Sequence, residues 1–265
     1  MVKTLLKKNV VQHSQTGLII KKSSGQVNIY NSAWCIIGPP GVGKTTLASG
    51  FEGNLFLCTS EKELSRLTTD YILIDTWEKV LETTDELVNN RQKYEQYKFL
   101  TIDFTDAVWE MVRIASNEKL KVVHESDAQW GKGSGMIRAF FKQWVNKLVA
   151  SGYGVIFISH VTEVDSFSGG GNVKKTVCTL HKNAREVLFP LINVLGCIEY
   201  KSIKGINAAT GKPEIQRKRM MVFEATEYCE AKDRDGIFPS ELMLFKDPKK
   251  NFEMFKQYYS GEKHK

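Results

Sequence analysis

Residues 38–45 read Gly-Pro-Pro-Gly-Val-Gly-Lys-Thr, a complete match to the spacing GxxxxGK[ST]. A loop of this kind wraps backbone N–H groups around a phosphate, and glycines are needed because a Cβ would block the approach. It functions between a buried strand and a helix whose positive end points at the same anion. Both flanks comply. Ala33-Trp34-Cys35-Ile36-Ile37 is an unbroken apolar run closed by glycine and proline, and Thr45-Thr46-Leu47-Ala48-Ser49 suits a helix. The cradle then comprises Gly38, Pro39, Pro40, Gly41, Val42, Gly43, Lys44, Thr45 and Thr46. Lys44 is placed to reach the β- and γ-phosphates of ATP, and the Thr45 hydroxyl to ligate Mg²⁺.

The rest of the chain repeats the alternation that such a loop requires. Asn54–Cys58, Asp70–Asp75, Lys98–Asp103 and Gly154–Ser159 are short strand-like runs. Helical patterns separate them: Lys44–Phe51, the acidic stretch Thr76–Lys93, and a stripe at Phe104, Ala107, Val108, Met111, Val112 and Ala115. A stronger stripe follows at Ile137, Phe140, Phe141, Trp144, Val145 and Leu148. This alternation predicts an α/β fold with a mostly parallel central sheet and helices on both faces. Past residue 185 the pattern changes. Ile198–Ile206 and Glu214–Ala225 flank the turn 207–212 and predict an antiparallel hairpin extending the sheet. The expected organisation is a basic lead-in at 1–30 with one strand over Gly17–Lys22, a core at 31–248, and a frayed lysine-rich tail at 249–265.

Composition agrees with a globular domain. Hydrophobic residues make up 42% and charged residues 25% of the 265, which excludes disordered, collagen-like and disulfide-stapled classes. No apolar run approaches the ~20 residues of a membrane span, and the N-terminus has no secretory leader pattern. A cytoplasmic protein is expected. Five cysteines are scattered without a CxxC pair, which argues against both zinc and a disulfide framework. The net charge of +7 is uneven, with five lysines and no acid in 1–30 and 25 basic against 17 acidic side chains in 111–265. Residues 31–110 carry 7 basic and 13 acidic groups.

A phosphate loop needs a carboxylate near its metal. Asp103 and Asp75 both close buried strands, and Asp103 is preferred because its strand leads into the clean apolar stripe. Glu61 and Glu63 follow the strand NLFLC and are candidates to activate water, with Glu61 favoured; the alternative is a pair of exposed acids opening a helix. His160, at the end of GVIFIS, is a candidate γ-phosphate sensor or a structural histidine.

Read in order, these landmarks resemble a RecA-like P-loop ATPase over about Ala33 to Leu244. They are GPPGVGKTT at 38–46, the acid at 61, IDTW at 74–77, FLTID at 99–103, WGKGSG at 130–135, IFISH at 156–160 and EAKDR at 230–234. More narrowly, the chain resembles phage-encoded nucleotide-binding proteins that are little more than a RecA core and act as single-strand annealing recombinases. DnaB-type replicative helicases are similar in the strand ending in histidine and the Lys-x-Arg. The resemblance implies Asp103 as the Walker B acid, Glu61 as catalytic base and His160 as sensor. It makes Lys232 and Arg234 fingers reaching a neighbouring subunit's nucleotide, against the alternative of a solvated turn. It implies slow, DNA-stimulated ATP hydrolysis, a homo-oligomer on single-stranded DNA, a single-strand-binding protein as a further partner, and no membrane. If phage-encoded, such a protein works in the host cytoplasm. With neither a long N-terminal polymerisation domain nor a C-terminal DNA-binding domain, annealing is expected rather than full strand exchange.

DNA is then expected at the loops 116–135 and 161–185. The first offers Trp130 and Lys132, a stacking platform or merely a core tryptophan beside a solvated lysine. The second is glycine-rich and basic, with Lys174, Lys175, Lys182 and Arg185. The hairpin at 201–219 adds further lysines and arginines, as a phosphate-contacting stripe or as a charged edge strand. Two other functions use the same loop: a nucleoside or nucleotide kinase, for which no arginine-rich lid is evident, and a non-catalytic helicase-accessory switch.

Overall fold

The computed structural model describes residues 12–13, 19–20, 26–168, 171–206 and 212–263. Most of the lead-in 1–30, Gly169 and Gly170, and the turn residues 207–211 lie outside the described residues. Of the expected strand over Gly17–Lys22, β2 (Ile19–Ile20) is described, paired antiparallel with β1 (Gln12–His13).

From residue 33 the βα alternation runs as the pattern predicts. β3 (Ala33–Ile37) leads through the phosphate loop into α1 (Lys44–Ala48), followed by β4 (Asn54–Cys58) and β5 (Asp70–Leu73). Thr76 caps α2 (Trp77–Asn89), its hydroxyl accepting from Lys79 N at 3.2 Å. β6 (Phe99–Asp103), α3 (Thr105–Leu120), α4 (Lys132–Val149) and β7 (Gly154–Ser159) complete the central units. Next come the antiparallel pair β8 (Val161–Ser168) and β9 (Gly171–Cys178), then α5 (Lys182–Leu188). β10 (Val194–Ile206) and β11 (Pro213–Val222) form the expected hairpin; β12 (Lys232–Asp233), β13 (Glu241–Met243) and α6 (Pro248–Tyr259) end the fold.

The main sheet is ordered β13-β11-β10-β3-β7-β6-β4-β5, with β12 on the side of β10. From β10 to β5 every pairing is parallel. β10 has two parts: Val194–Cys197 runs parallel to β3, and the strand then continues beyond the end of β3 as a ribbon with β11. Strand residues alternate strictly between two cores. Cys35, Ile37, Leu57, Ile102 and Phe157 face α2, α3, α4 and α5, whereas Trp34, Ile36, Phe56, Phe99 and Ile158 face α1 and α6. Coverage on both faces explains why these strands read as unbroken apolar runs.

Three local expectations need correction. Residues 249–259 are not a frayed tail, because Asp247 caps α6, Pro248 opens it, and Phe252, Met254 and Phe255 are buried. Phe255 lies 5.3 Å from the ring of Trp34, so a single-sided apolar stripe hidden among lysines fixes the segment. The described residues of 161–185 form a β-ribbon (161–168 with 171–178) and the start of a helix rather than a loose loop. Residues 116–135 finish α3, fold back along it through two 3-10 turns, and open α4, with Arg113 Nη1 3.7 Å from Glu125. Among the described residues no helix is long and apolar enough to cross a membrane.

Candidate nucleotide site

The parallel strands β3, β6 and β7 end on the same side, and their carboxyl ends define a cleft of about 620 Å³. That lies within the roughly 300–1,000 Å³ of small-molecule sites, and its position matches where open parallel sheets bind ligands. Pro40, Gly41, Gly43, Lys44, Thr45 and Thr46 form one wall. Asp103, Phe104 and His160 form the floor, and Lys62, Ser65, Arg66 and Leu67 a second wall. β7 lies between the loop strand and the strand bearing Asp103, which brings residues far apart in sequence to one opening.

The loop turns through Gly41 and Gly43 at φ 75° and 93°, a region that penalises any side chain. A Cβ on Gly43 would also lie 2.4 Å from Arg219 Nη1. Arg219, on β11, donates to the carbonyls of Val42 (3.5 Å) and Phe245 (2.8 Å), so the ribbon strand braces the back of the cradle. Burial holds the Arg219 guanidinium below its ordinary pKa.

Lys44 is buried and donates to the carbonyls of Gly38 (2.8 Å) and Pro39 (3.1 Å) and to His160 Nδ1 (3.1 Å). An ammonium has only donors, so Nδ1 accepts and the ring proton sits on Nε2. The edge of Phe104 packs against this imidazole at 4.9 Å between centroids. The backbone of His160 also carries the ribbon β8–β9, because Thr179 N donates to its carbonyl at 3.0 Å. Beside it, Ser159 Oγ and Thr179 Oγ1 donate to the two oxygens of Asp106 at 2.6 and 2.7 Å.

The donor set fits a metal-bound triphosphate. Loop amides and Lys44 are donors to phosphate, and the Thr45 hydroxyl with the buried Asp103 carboxylate are hard-oxygen ligands suited to Mg²⁺. Asp75, the other candidate acid, is exposed ahead of α2 and lines no part of the cleft. Asp103 is the register partner of Cys58. Burial, and then the charge of Asp103, pushes the Cys58 thiol up to about 11.

Other sequence candidates lie elsewhere. Glu61 sits in a 3-10 turn with its carboxylate 3.2 Å from the Tyr71 hydroxyl on β5, outside the cleft lining. The Glu63 side chain lies outside the described residues. Lys232 Nζ donates to the carbonyls of Phe189 (2.6 Å) and Ile192 (3.1 Å), and Arg234 donates to that of Pro190. These carbonyls follow the C-terminus of α5, and β12 pairs with the first residues of β10, at the opposite end of the sheet from the cleft. Both cations therefore serve a helix terminus of their own chain.

Among the expected DNA residues, Arg185 pairs with Glu230 at 3.2 Å and Lys174 with Asp165 at 2.7 Å. Lys175 and Lys182 make no ion pair among the described residues. Trp130 is 93% exposed, not a core residue, and Lys132 opens α4. The sequence reading missed the wall formed by Lys62 and Arg66; its signal, two cations four residues apart after a buried strand, was masked by the flanking glutamates.

A family model described as an AAA domain matches residues 31–235, which include every strand from β3 to β12 and the whole cleft. A search of the curated proteins finds no match. With the match covering well over half of its length, the chain belongs to the AAA-domain family of P-loop NTPases.

Proposed function

We propose that the chain is an ATP- and Mg²⁺-dependent, RecA-like ATPase that assembles on single-stranded DNA and promotes annealing, as the phage recombinases it resembles do. One observation supports this above the rest: two antiparallel ribbons leave the sheet at the end where the nucleotide cleft opens. The first, β8–β9, starts from the His160 backbone and carries Lys174, Lys175 and the 74% exposed Phe167. The second, distal β10–β11, carries Lys204, Arg217 and Lys218, with Arg217 stacked on Tyr200 at 4.3 Å and Ile206 and Ile215 exposed. Cations interleaved with exposed apolar and aromatic groups track a sugar-phosphate backbone while offering surfaces for bases. Annealing two polyanions needs such a surface, and a sensor at the ribbon's root ties its posture to the nucleotide.

In this reading Lys44, Thr45, Asp103 and His160 bind and sense the nucleotide, Glu61 stands outside the cleft lining, and a single-strand-binding protein is a further partner. The test is ATP turnover and oligonucleotide retention on filters, with and without single-stranded DNA. Stimulation by DNA and salt-sensitive retention, both lost on neutralising Lys175, Lys182, Lys204 and Lys218 together, are expected. DNA-independent turnover with no retention at low salt would remove the DNA role and leave the ATPase.

A further inference from the structure

We propose that Arg66, assisted by Lys62, is the cation that this chain presents to the terminal phosphate of its own nucleotide. The inference rests on the nucleotide chemistry of the cleft and is independent of any action on DNA. Both residues line the same cleft as the phosphate loop and Asp103. Both side chains are exposed and make no hydrogen bond or ion pair among the described residues, so no internal partner competes for them. Lys232 and Arg234, the pair expected to reach a neighbouring subunit's nucleotide, are held by carbonyls at the far end of the sheet.

The position of the wall selects the phosphate. Thr45 and Asp103 would hold the metal that neutralises charge on the terminal phosphates, so Asp103 marks that end of the site. Asp103 pairs in register with Cys58, the last residue of β4, and the segment 61–67 departs from that point. Arg66 and Lys62 therefore stand on the γ side and not beside the α-phosphate. Charge demands them there as well. Triphosphate with one Mg²⁺ retains net negative charge that Lys44 alone does not balance, and charge on the equatorial γ-oxygens must be stabilised as the bond to the leaving group breaks. An exposed side chain on a short turn is free to swing inward once phosphate arrives.

The experiment measures affinity for ADP and for a non-hydrolysable ATP analogue, each with Mg²⁺, in the full chain, alongside steady-state phosphate release. Arg66→Ala is expected to weaken the analogue by ~10-fold and leave ADP within about twofold, since only the γ-phosphate loses a partner. Turnover should fall by ~10²-fold or more, Arg66→Lys should restore part of it, and low millimolar guanidinium should restore part in Arg66→Ala. Lys62→Ala should shift the same quantities less. Mixing Arg66→Ala with Lys44→Ala subunits should restore nothing, because both groups act on the same nucleotide. Equal binding and turnover in Arg66→Ala and wild type, or recovery on mixing, would overturn the proposal. Failure of the wild type to bind either nucleotide would overturn the nucleotide reading along with it.

Discussion

The two ends of the central sheet use the same residue types for opposite purposes. At the carboxyl end, Lys44 is buried against two loop carbonyls and an imidazole, while Lys62 and Arg66 face an open cleft. At the amino end, Lys232 and Arg234 are held by carbonyls after α5, where the end of a helix needs donors. Burial lowers the pKa of Lys232, with Arg234 adding to the effect, as expected for a lysine built into structure. A lysine and an arginine close together in sequence therefore have no fixed meaning; the strand end on which they land decides whether they face a cleft or hold a helix.

Substitutions at each end test that contrast. The largest effect is expected for Lys44→Ala, which should lower phosphate release per folded molecule by ~10³-fold. Asp103→Asn should cost ~10²-fold and raise the Mg²⁺ concentration needed for half-maximal turnover, read by metal titration. Lys232→Met should act in the opposite sense, removing about 1–3 kcal/mol of stability in urea denaturation with turnover per folded molecule unchanged. If its stability held and turnover collapsed, the amino end would belong to a neighbour's active site and the contrast would break.

The smallest effect concerns pH at the carboxyl end. The folded pKa of Cys58 is raised above its ordinary value, so its stabilising contribution is complete at neutral pH and is lost as pH rises through about 11. The unfolding free energy of the wild type, taken relative to Cys58→Ala, should fall on going from pH 8 to pH 11. In the native state at pH 8 all five thiols should resist a disulfide reagent, since each is buried.

Much of this was legible in the chain. β3, β4, β6 and β7 stand within a residue of their expected limits because parallel strands covered on both faces must be apolar without interruption. Thr45 and Asp103 meet at one cleft because strand ends carry them there. Three features were hidden for identifiable reasons. The stripe of α6 is only a few aromatic residues among lysines, so composition outweighed period. β10 is one strand with two partners, and its parallel half has no local signature. Glu61 attracted attention as an acid in the right interval, but a 3-10 turn points consecutive side chains in different directions, and the tyrosine of an edge strand receives it.

The carbonyl of His160 holds Thr179, and its imidazole holds Lys44, so one residue is both the floor of the cleft and the hinge pin of a ribbon. Asp106 ties Ser159, which precedes that residue, to Thr179, which is bonded to its carbonyl. A displacement of the His160 backbone would therefore be carried directly into an arm whose strands are each eight residues long.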